Sequence, residues 1–395
     1  MRTMIVTVLV VALAATAFAA TMDKPPRAAN TQYAGWKHGP STDPGFFPVA
    51  VWLQAPKNAP KYQAIGINVY IGQWKGPTEK DLAELKKHGM KVICDQNEVG
   101  LKHKDDPTII GWMHGDEPDN CKRNADDTKW IPVAKPDEII ADYKRMKAKD
   151  PTRPVYLNLG CKVADDKYKG SWVGDHQIYV EFLKGCDIVS YDIYPAKSSK
   201  PHLKGNLWYV PLGVDRLYTW ADGGRTIVWN ILECTPNAEK KPTPRDIRAE
   251  VWMSLVHGST GICYFVHQFR PTFIEAGLLA YPEMAKAVGE INRQIHDLAP
   301  VLNSPTIAGG AVAESGNKDV PLDLMVKRHK GATYVFAVAM RDGKTRADFQ
   351  VRGLPGKAVA EVLGESRTIA VDGGRFADDF EGYGVHLYKL APAAK

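Results

Sequence analysis

The segment that decides the fold is Ile109-Ile110-Gly111-Trp112-Met113-His114-Gly115-Asp116-Glu117-Pro118, an apolar run that ends in two adjacent carboxylates and a proline. The apolar run is typical of a strand that is covered on both faces of a sheet. Because proline cannot donate to a hydrogen-bond ladder, strand pairing is expected to end at Pro118. Asp and Pro are also ordinary turn formers, so a surface turn is the alternative. The strand interpretation places Glu117 on the rim of a sheet.

A second segment repeats this arrangement further along the chain. The stretch Thr226-Ile227-Val228-Trp229-Asn230-Ile231-Leu232-Glu233 is again an apolar pattern that ends in a glutamate, although Trp229 itself is expected in the core. Glycosidic bonds are usually cut by two carboxyl groups that flank the bond. Two glutamates at the ends of two strands therefore indicate that chemistry, provided that both strands open onto the same face.

The amino-terminal residues predict export. Arg2 precedes an unbroken apolar run, and Ala17-Phe18-Ala19 is a small-x-small cleavage site, so residues 1–20 are interpreted as a secretory signal peptide. The run is too short to cross a bilayer comfortably, since spanning needs roughly 20 apolar residues. We expect a secreted or periplasmic protein without membrane insertion, in which residues 21–45 form an N-terminal extension.

Composition narrows the possible partners. The formal charge of +6 comes from lysines scattered along the chain, so nucleic-acid binding is not expected. The six cysteines form no CxxC pair and no zinc-like spacing, and neither a metal nor a cofactor is predicted. Export permits disulfides, and Cys121 with Cys161 is the first candidate pair, whereas Cys263 is expected in the core. The sequence leaves the oligomeric state open.

Eight short apolar runs predict parallel strands joined by crossovers. They are Phe47–Trp52, Ala64–Tyr70, Lys91–Asp95, Ile109–Gly115, Pro154–Leu159, Asp187–Asp192, Thr226–Leu232 and Gly261–Val266. Helices are predicted over Thr78–Gly89, Lys135–Lys149, Arg245–His257 and Tyr281–Leu302. This count is typical of an α/β fold of the (β/α)8 TIM-barrel type over residues 46–302. A doubly wound open sheet is the competitor, but no Gly-x-Gly-x-x-Gly follows the first strand.

After Pro300 the pattern changes to alternating stretches separated by Asp342-Gly343 and Asp372-Gly373-Gly374 turns. Residues 303–395 are therefore predicted to form a small C-terminal antiparallel β-sandwich domain. It is expected to shield the barrel helices.

The predicted strand ends are rich in polar and aromatic residues. In a barrel of this kind all strand C-termini open onto one face, which carries the site. Trp52 and Trp172, like Trp74 and Trp208, are candidate platforms on which sugar rings stack, because sugars present apolar C–H faces. The substrate-binding candidates are Asp116, Trp52, Asn68, Asp95, Asn158, Tyr194, His267 and Trp172.

Strands four and seven lie across the barrel mouth from each other, so Glu117 and Glu233 are predicted to face one central pocket that binds a carbohydrate. One carboxyl would protonate the leaving oxygen and the other would approach the anomeric carbon. Their environments must split their pKa values to keep one protonated and the other ionised. Tyr194 and Asn230 are candidate donors to Glu233. Trp112 and His114 are candidates for raising the pKa of Glu117.

Asp116-Glu117-Pro118 at strand four, with Glu233 at strand seven, resembles the clan A retaining glycoside hydrolases, whose usual strand-four motif is Asn-Glu-Pro. The resemblance covers residues 46–302. It implies that Glu117 is the acid/base and Glu233 the nucleophile, and that Tyr194 steadies the nucleophile. It also implies net retention of configuration.

Asp116 departs from this pattern because an Asn normally binds the sugar 2-hydroxyl there, and an ionised Asp only accepts hydrogen bonds. Two other functions stay open. One is a catalytically inactive glycan-binding barrel. The other is a metal-dependent hydrolase using His114 and Asp116, with Glu117, Asp95 and His267 close by.

Overall fold

The computed structural model describes residues 31–171, 175–221, 225–237, 241–354 and 356–392. Its first part is a barrel of parallel strands that carries one β-hairpin, formed by β5 and β6, in the loop after β4. The strands are β1 (Val49–Trp52), β2 (Val69–Ile71), β3 (Lys91–Cys94), β4 (Ile109–Met113), β5 (Cys121–Arg123), β6 (Trp130–Pro132), β7 (Val155–Leu159), β8 (Ile188–Tyr191), β9 (Ile227–Val228), β10 (Asn230–Glu233) and β11 (Ile262–Phe265).

The barrel closes because its seventh strand is divided at Trp229. The first half, β9, pairs with β8, and the second half, β10, pairs with β11. The β11 strand also pairs with β1, which completes the ring. The predicted barrel is confirmed. One predicted strand is partly wrong, because Ala64 ends a helix and β2 begins only at Val69.

Helices connect the barrel strands, and their starts follow local capping chemistry. The Thr78 side chain accepts from the Asp81 N–H at 3.2 Å, and Thr243 forms a capping box with Asp246. The α-helices are α1 (Ala59–Ala64), α2 (Glu79–Lys87), α3 (Glu98–Lys102), α4 (Pro136–Lys149), α5 (Gln177–Phe182), α6 (Tyr209–Trp220), α7 (Pro244–Val256), α8 (Gly277–Ala280), α9 (Pro282–Asp297) and α10 (Ala299–Leu302). Within the described ranges, none of them is long and apolar enough to cross a membrane.

The barrel interior is filled by side chains from alternate strand positions, as the two-residue period of a strand requires. Trp229 is fully buried there and donates through Nε1 to the Tyr33 hydroxyl at 2.9 Å. A Cβ on Gly261 would lie 2.5 Å from the Trp229 ring, so only glycine fits beside it. The short helical turn Thr31–Tyr33 thus packs against the barrel interior.

The C-terminal part is an antiparallel domain of eight strands, as predicted. The hairpin pair β17 and β18 is held by one residue pair, Asp372 with Arg375, so the sheet folds there over a single apolar core. Its strands are β12 (Ala311–Ser315), β13 (Leu322–His329), β14 (Ala332–Ala339), β15 (Thr345–Val351), β16 (Lys357–Val362), β17 (Arg367–Asp372), β18 (Arg375–Phe380) and β19 (Val385–Pro392).

This domain packs on the outside of the barrel. Phe336 of β14 contacts Trp252 of α7 with ring centroids 5.2 Å apart. The Arg341 guanidinium lies 4.7 Å above the Trp208 ring, and Trp208 therefore packs against the second domain. The domain covers barrel helices, as expected.

A buried ion pair fixes the start of β4. The Arg153 guanidinium is fully buried, donates to Asp150 Oδ2 at 2.7 Å and lies 5.4 Å from the Trp112 ring centroid. Its Nε also donates to the Ile109 carbonyl at 2.8 Å. Removing one partner of such a pair leaves an uncompensated buried charge. We predict that Asp150→Ala lowers the free energy of unfolding by about 3–5 kcal/mol, measured by urea denaturation.

The chain contains a matched control. Asp142 pairs with Arg145 at the same three-residue spacing, but both side chains are exposed. Asp142→Ala should cost less than about 1 kcal/mol, because exposed pairs are screened by solvent. Equal losses in the two variants would contradict the role given to burial.

Candidate functional site

The C-terminal ends of the strands meet at the mouth of the barrel, where Glu117 has an unusual backbone. Its φ is +44°, in the left-handed region that costs free energy for residues other than glycine. Its N–H donates to the Asn158 carbonyl at 3.2 Å, and Asn120 Nδ2 donates to its Oε2 at 2.7 Å. These bonds hold the carboxyl in one place at the mouth.

Asn158 of β7 links the two neighbouring strand ends. Its Nδ2 donates to Asp116 Oδ1 at 2.9 Å and to Asp192 Oδ1 at 3.4 Å. Its Oδ1 accepts from the Ser190 hydroxyl at 2.7 Å, which fixes the orientation of the amide. The predicted residues Asp116, Glu117 and Asn158 therefore lie together, and Asp192, which follows β8, joins them.

The pKa values of the carboxyl groups at this site are raised above those of carboxyl groups in water. The neighbouring Asp192 charge, followed by burial and by the Asp116 charge, raises the pKa of Glu117 to about 10. Burial raises the pKa of Asp192, whereas hydrogen bonds from Glu117, Tyr194 and Asn158 oppose that rise. Glu117 is therefore the protonated member of the pair, and Asp192 is the ionised one.

Two further carboxyl groups extend this charged cluster. The protein atoms crowded around the Asp116 carboxyl, followed by the Asp192 charge, raise its pKa to about 7, although part of the residue stays open to solvent. Burial raises the pKa of the fully buried Asp119 to about 6, even though Asp119 accepts from the Gly160 N–H and the Tyr179 hydroxyl. Asp116 is exposed at the mouth, so it is available to solvent or ligand.

Glu233 at the end of β10 is held in a different way. It is fully buried, and its two oxygens accept from the Ala196 N–H at 2.7 Å and the Lys197 N–H at 3.0 Å. Burial raises the pKa of Glu233 to about 7, while the Lys197 charge, both amides and a hydrogen bond from Glu250 oppose the rise. Burial, followed by the Glu233 charge, raises the pKa of Glu250 well above its usual range. Glu250 thus carries the proton and Glu233 is the ionised partner.

The Lys197 charge interacts with the carboxyl groups of both Asp192 and Glu233. Its ammonium lies 4.4 Å from the Tyr194 ring centroid and 5.2 Å from that of Phe265, and its charge acts on both Asp192 and Glu233. Lys197 is only 8% exposed and so is part of the wall of the site. The order of charged groups is Glu117, Asp192, Lys197, Glu233 and Glu250.

Some predicted supporting contacts differ from the structure. Tyr194 interacts with Asp192 rather than with Glu233, and Asn230 donates to the Ser254 hydroxyl on the outer face of β10. The Asp192 charge, burial and the Asp116 charge raise the pKa of Glu117, and the His114 ring faces α4 instead. Asn230 faces away from Glu233 because a strand turns alternate side chains to opposite faces.

The other substrate-binding candidates fall into separate groups. Asp95 is exposed after β3, and His267 lies after β11 with its Nε2 3.2 Å from Gln54 Nε2. Asn68 is a correction, because it precedes β2 at the opposite end of the barrel, where it bonds to Val49 and Phe47 backbone atoms. Trp52 is the last residue of β1, and its buried side chain packs with the residues of the barrel interior. Trp172 lies outside the described residues.

His114, a ligand in the metal-dependent alternative, does not face Asp116. His114 Nε2 lies 2.8 Å from the Gly185 carbonyl oxygen, and its ring faces the charges of α4 rather than Asp116. Across the described ranges, no group of three or more His, Cys, Asp or Glu side chains is arranged to hold a metal ion.

The cysteines are all unpaired thiols, so the Cys121–Cys161 bridge is not formed. Cys263 is fully buried in the barrel interior, as expected.

The sequence interpretation missed an aromatic surface beside the mouth. Phe269 and Phe273 are 62% and 60% exposed on the loop after β11, which is closed by paired backbone bonds between Gln268 and Ile274. In the part of the chain that the structure describes, the Trp and Phe residues with more than half of their surface exposed are Trp74, Trp130, Phe269 and Phe273. All four follow the C-terminal ends of barrel strands. Trp74 is already a candidate platform, and the same position could have singled out the other three.

No family model and no curated protein matches the chain. Solved structures do resemble it in fold. An alpha-amylase from Geobacillus thermoleovorans, complexed with acarbose, aligns with a TM-score of 0.51 at 11% identity, covering 88% of this chain and 99% of that chain. An Anoxybacillus alpha-amylase aligns with a TM-score of 0.52 at 12% identity, covering 89% and 99%.

A catalytic mutant of a GH42 beta-galactosidase from G. stearothermophilus aligns with a TM-score of 0.56 at 9% identity, covering 87% of this chain and 98% of that chain. At such identities the likeness is one of fold. The chain thus has the architecture of these glycoside hydrolases, a (β/α)8 barrel followed by a β domain.

The raised pKa of Glu117 makes a prediction about stability. Between its ordinary pKa of about 4.3 and its raised value, folded Glu117 keeps a proton that the unfolded chain has lost. Its contribution to stability is therefore present at low pH and is lost as pH rises towards the raised value. Glu117→Gln should raise Tm by about 2 °C at pH 8 and have little effect at pH 4.

The control is Glu98→Gln, which changes an exposed glutamate near the same mouth. It should leave Tm unchanged at both pH values. A Tm increase of equal size at pH 4 and pH 8 for Glu117→Gln would show that the retained proton is not its cause.

Proposed function

We propose that the protein is a glycoside hydrolase that acts on an oligo- or polysaccharide by retaining double displacement. What supports it most is the different surroundings of the two glutamates at the ends of strands four and seven. The Asp192 charge and burial raise the pKa of Glu117 to about 10, whereas Lys197 and two backbone amides limit the rise for Glu233 to about 7, so Glu117 holds its proton more strongly than Glu233 does. A proton donor and a nucleophile need different protonation states at the same pH.

In the first step, the Glu117 proton moves to the glycosidic oxygen as its bond to the anomeric carbon breaks. A Glu233 oxygen forms the new bond to that carbon. In the second step, Glu117 takes a proton from water, the water oxygen attacks the anomeric carbon, and the bond to Glu233 breaks. The backbone amides of Ala196 and Lys197 hold the Glu233 carboxylate in a fixed orientation throughout. Because Glu233 is fully buried, the side chains around it must move aside when the sugar binds.

Two surface features support a carbohydrate substrate. Exposed Asp116 can accept a hydrogen bond from a sugar hydroxyl. Its Oδ1 already accepts from Asn158 Nδ2, which holds the carboxyl in position for that contact. The exposed aromatic rings at the mouth offer flat surfaces for the C–H faces of sugars. Carbohydrate ligands also occur in fold neighbours, one with acarbose and one with maltotriose.

The role of Glu117 as the acid can be tested by comparing substrates whose leaving groups do and do not need protonation. Glu117→Gln should slow hydrolysis of native glycans by about 10²–10⁴-fold, the usual contribution of a general acid. A dinitrophenyl glycoside needs no protonation to leave, so its first step should be nearly unaffected in pre-steady-state kinetics. Glu233→Gln should abolish both reactions, and NMR of the wild-type products should show net retention.

Glu98→Gln is again the control and should keep full activity. Inverted products would contradict the assignment of Glu233 as nucleophile. Binding without turnover on every glycan tested would instead favour the inactive glycan-binding barrel.

The aromatic surface makes a separate prediction. Aromatic contacts contribute about 0.5–1.5 kcal/mol each, so the double variant Phe269→Ala and Phe273→Ala should raise KM for a polysaccharide about tenfold. It should leave kcat/KM for a small aryl glycoside unchanged, because that substrate does not reach the loop. The exposed Val312 of the C-terminal domain supplies the control, and Val312→Ala should change neither value. Unchanged KM in the double variant would exclude the loop from substrate binding.

We also propose that the protein is exported. The Arg2 charge, the apolar run and Ala17-Phe18-Ala19 support it. Expression of the full chain in a bacterial host should give an exported protein whose amino terminus lies just after about residue 20, read by mass spectrometry. Accumulation of uncleaved protein in the cytoplasm would contradict it.

A further inference from the structure

We propose that Asp192 is a positioning residue for Glu117, holding the catalytic carboxyl through a shared proton while Asn158 holds Asp192. The inference rests on the proposed function, since it assigns a task in the same reaction. It concerns a residue outside the pair of glutamates on strands four and seven.

The backbone fixes Asp192 next to Glu117. The Asp192 N–H donates to the Leu159 carbonyl at 3.2 Å, and Asp192 forms a bridge with Ile231 on the other side. On the opposite flank of β7, the Glu117 N–H donates to the Asn158 carbonyl. Two neighbouring strands thus bring both carboxyl groups to the same height, and the Asn158 amide touches the Asp192 side chain. These main-chain bonds fix the Cα atoms from which the two carboxyl groups extend.

The surroundings of Asp192 favour its ionised form. The Asn158 amide donates to it, and the Tyr194 hydroxyl and the Lys197 charge both oppose the rise in its pKa. An ionised Asp192 accepts the Glu117 proton, so the two groups avoid the repulsion of two neighbouring carboxylates. Several titratable groups interact electrostatically with Glu117. They are Asp116 and Asp119 from its own loop, Cys161 and Tyr168 from the loop after β7, and Asp192 and Tyr194 from the loop after β8.

Asp192 has a consequence for both chemical steps. Before the first step it keeps the proton on Glu117 at neutral pH, ready for the leaving oxygen. After that transfer, Glu117 is a carboxylate beside the Asp192 carboxylate, and their repulsion favours return of a proton from the attacking water. One proton leaves Glu117 and one returns to it, and Asp192 itself stays ionised throughout.

The test is the pH dependence of kcat/KM, which reports the acid of the free enzyme. In Asp192→Asn the charge beside Glu117 is gone, so the alkaline limb should move to lower pH by about one unit or more. Asp192→Glu keeps the charge and should return the alkaline limb of the pH profile most of the way to its wild-type position. Asp105→Asn makes the same change on an exposed loop before β4, at the opposite end of the barrel, and should leave the profile unchanged.

A loss of kcat in Asp192→Asn with the alkaline limb in place would overturn the proposal, because a merely structural or substrate-contacting residue would act in that way. The limb has to move for the shared proton to be supported.

A second measurement does not depend on enzymatic activity. Side-chain carboxyl carbons of the full-length protein, labelled with ¹³C-glutamate, are titrated by NMR, and the Glu117 signal is assigned by its loss in Glu117→Gln. Glu117 should titrate several pH units above the ordinary glutamate value of about 4.3, and at lower pH in Asp192→Asn than in the wild type. Titration of wild-type Glu117 near the ordinary value would overturn the proposal. A raised Glu117 titration in a protein that cleaves no glycan would support the contact and refute the proposed function.

Discussion

The closed barrel forces like charges together, and the chemistry of the site follows from that constraint. Asp116, Glu117 and Asp192 come from two strands that flank the same β7, and main-chain bonds to β7 prevent them from separating. Ionised carboxyl groups at this range repel each other strongly when water is scarce. The chain lowers that repulsion by keeping a proton on Glu117. The retained proton on Glu117 near neutral pH is thus a result of the pairing of β4 and β8 with β7, and the Asp192 charge is its largest single cause.

The same strand is stabilised at its start and strained at its end. Arg153 and Asp150 hold the first residue of β4 in a buried network that leaves no charge unpaired. Four residues beyond β4, Glu117 adopts a left-handed backbone that ordinary residues avoid. Strained backbone persists only where the surrounding structure fixes it. The rigid start of β4 and the bonds to Asn158 and Asn120 together supply that fixation.

The sequence predicted the barrel because its signals are local. Apolar runs, capping threonines and the position of the strand ends depend on residues a few places apart. The position of Asn68 was wrong for a related reason, since an apolar run that begins in a helix hides where the strand starts. What the sequence could not supply was the height of one strand relative to another. The contact of Asp192 with Glu117 depends on that height, as does the approach of Glu250 from α7 to Glu233.

Glu117 and Glu233 have chemically identical side chains, and their different environments give them different roles. Each has a second carboxyl as its partner, but the proton lies on opposite members of the two pairs. Glu117 faces an acceptor that three neighbours keep ionised, so it keeps the proton. Glu233 faces a fully buried Glu250 and accepts two amide hydrogens, so its own ionised form is the stable one. Exchanging the partners, rather than the glutamates, would exchange the roles, because the donors around each partner decide where each proton resides.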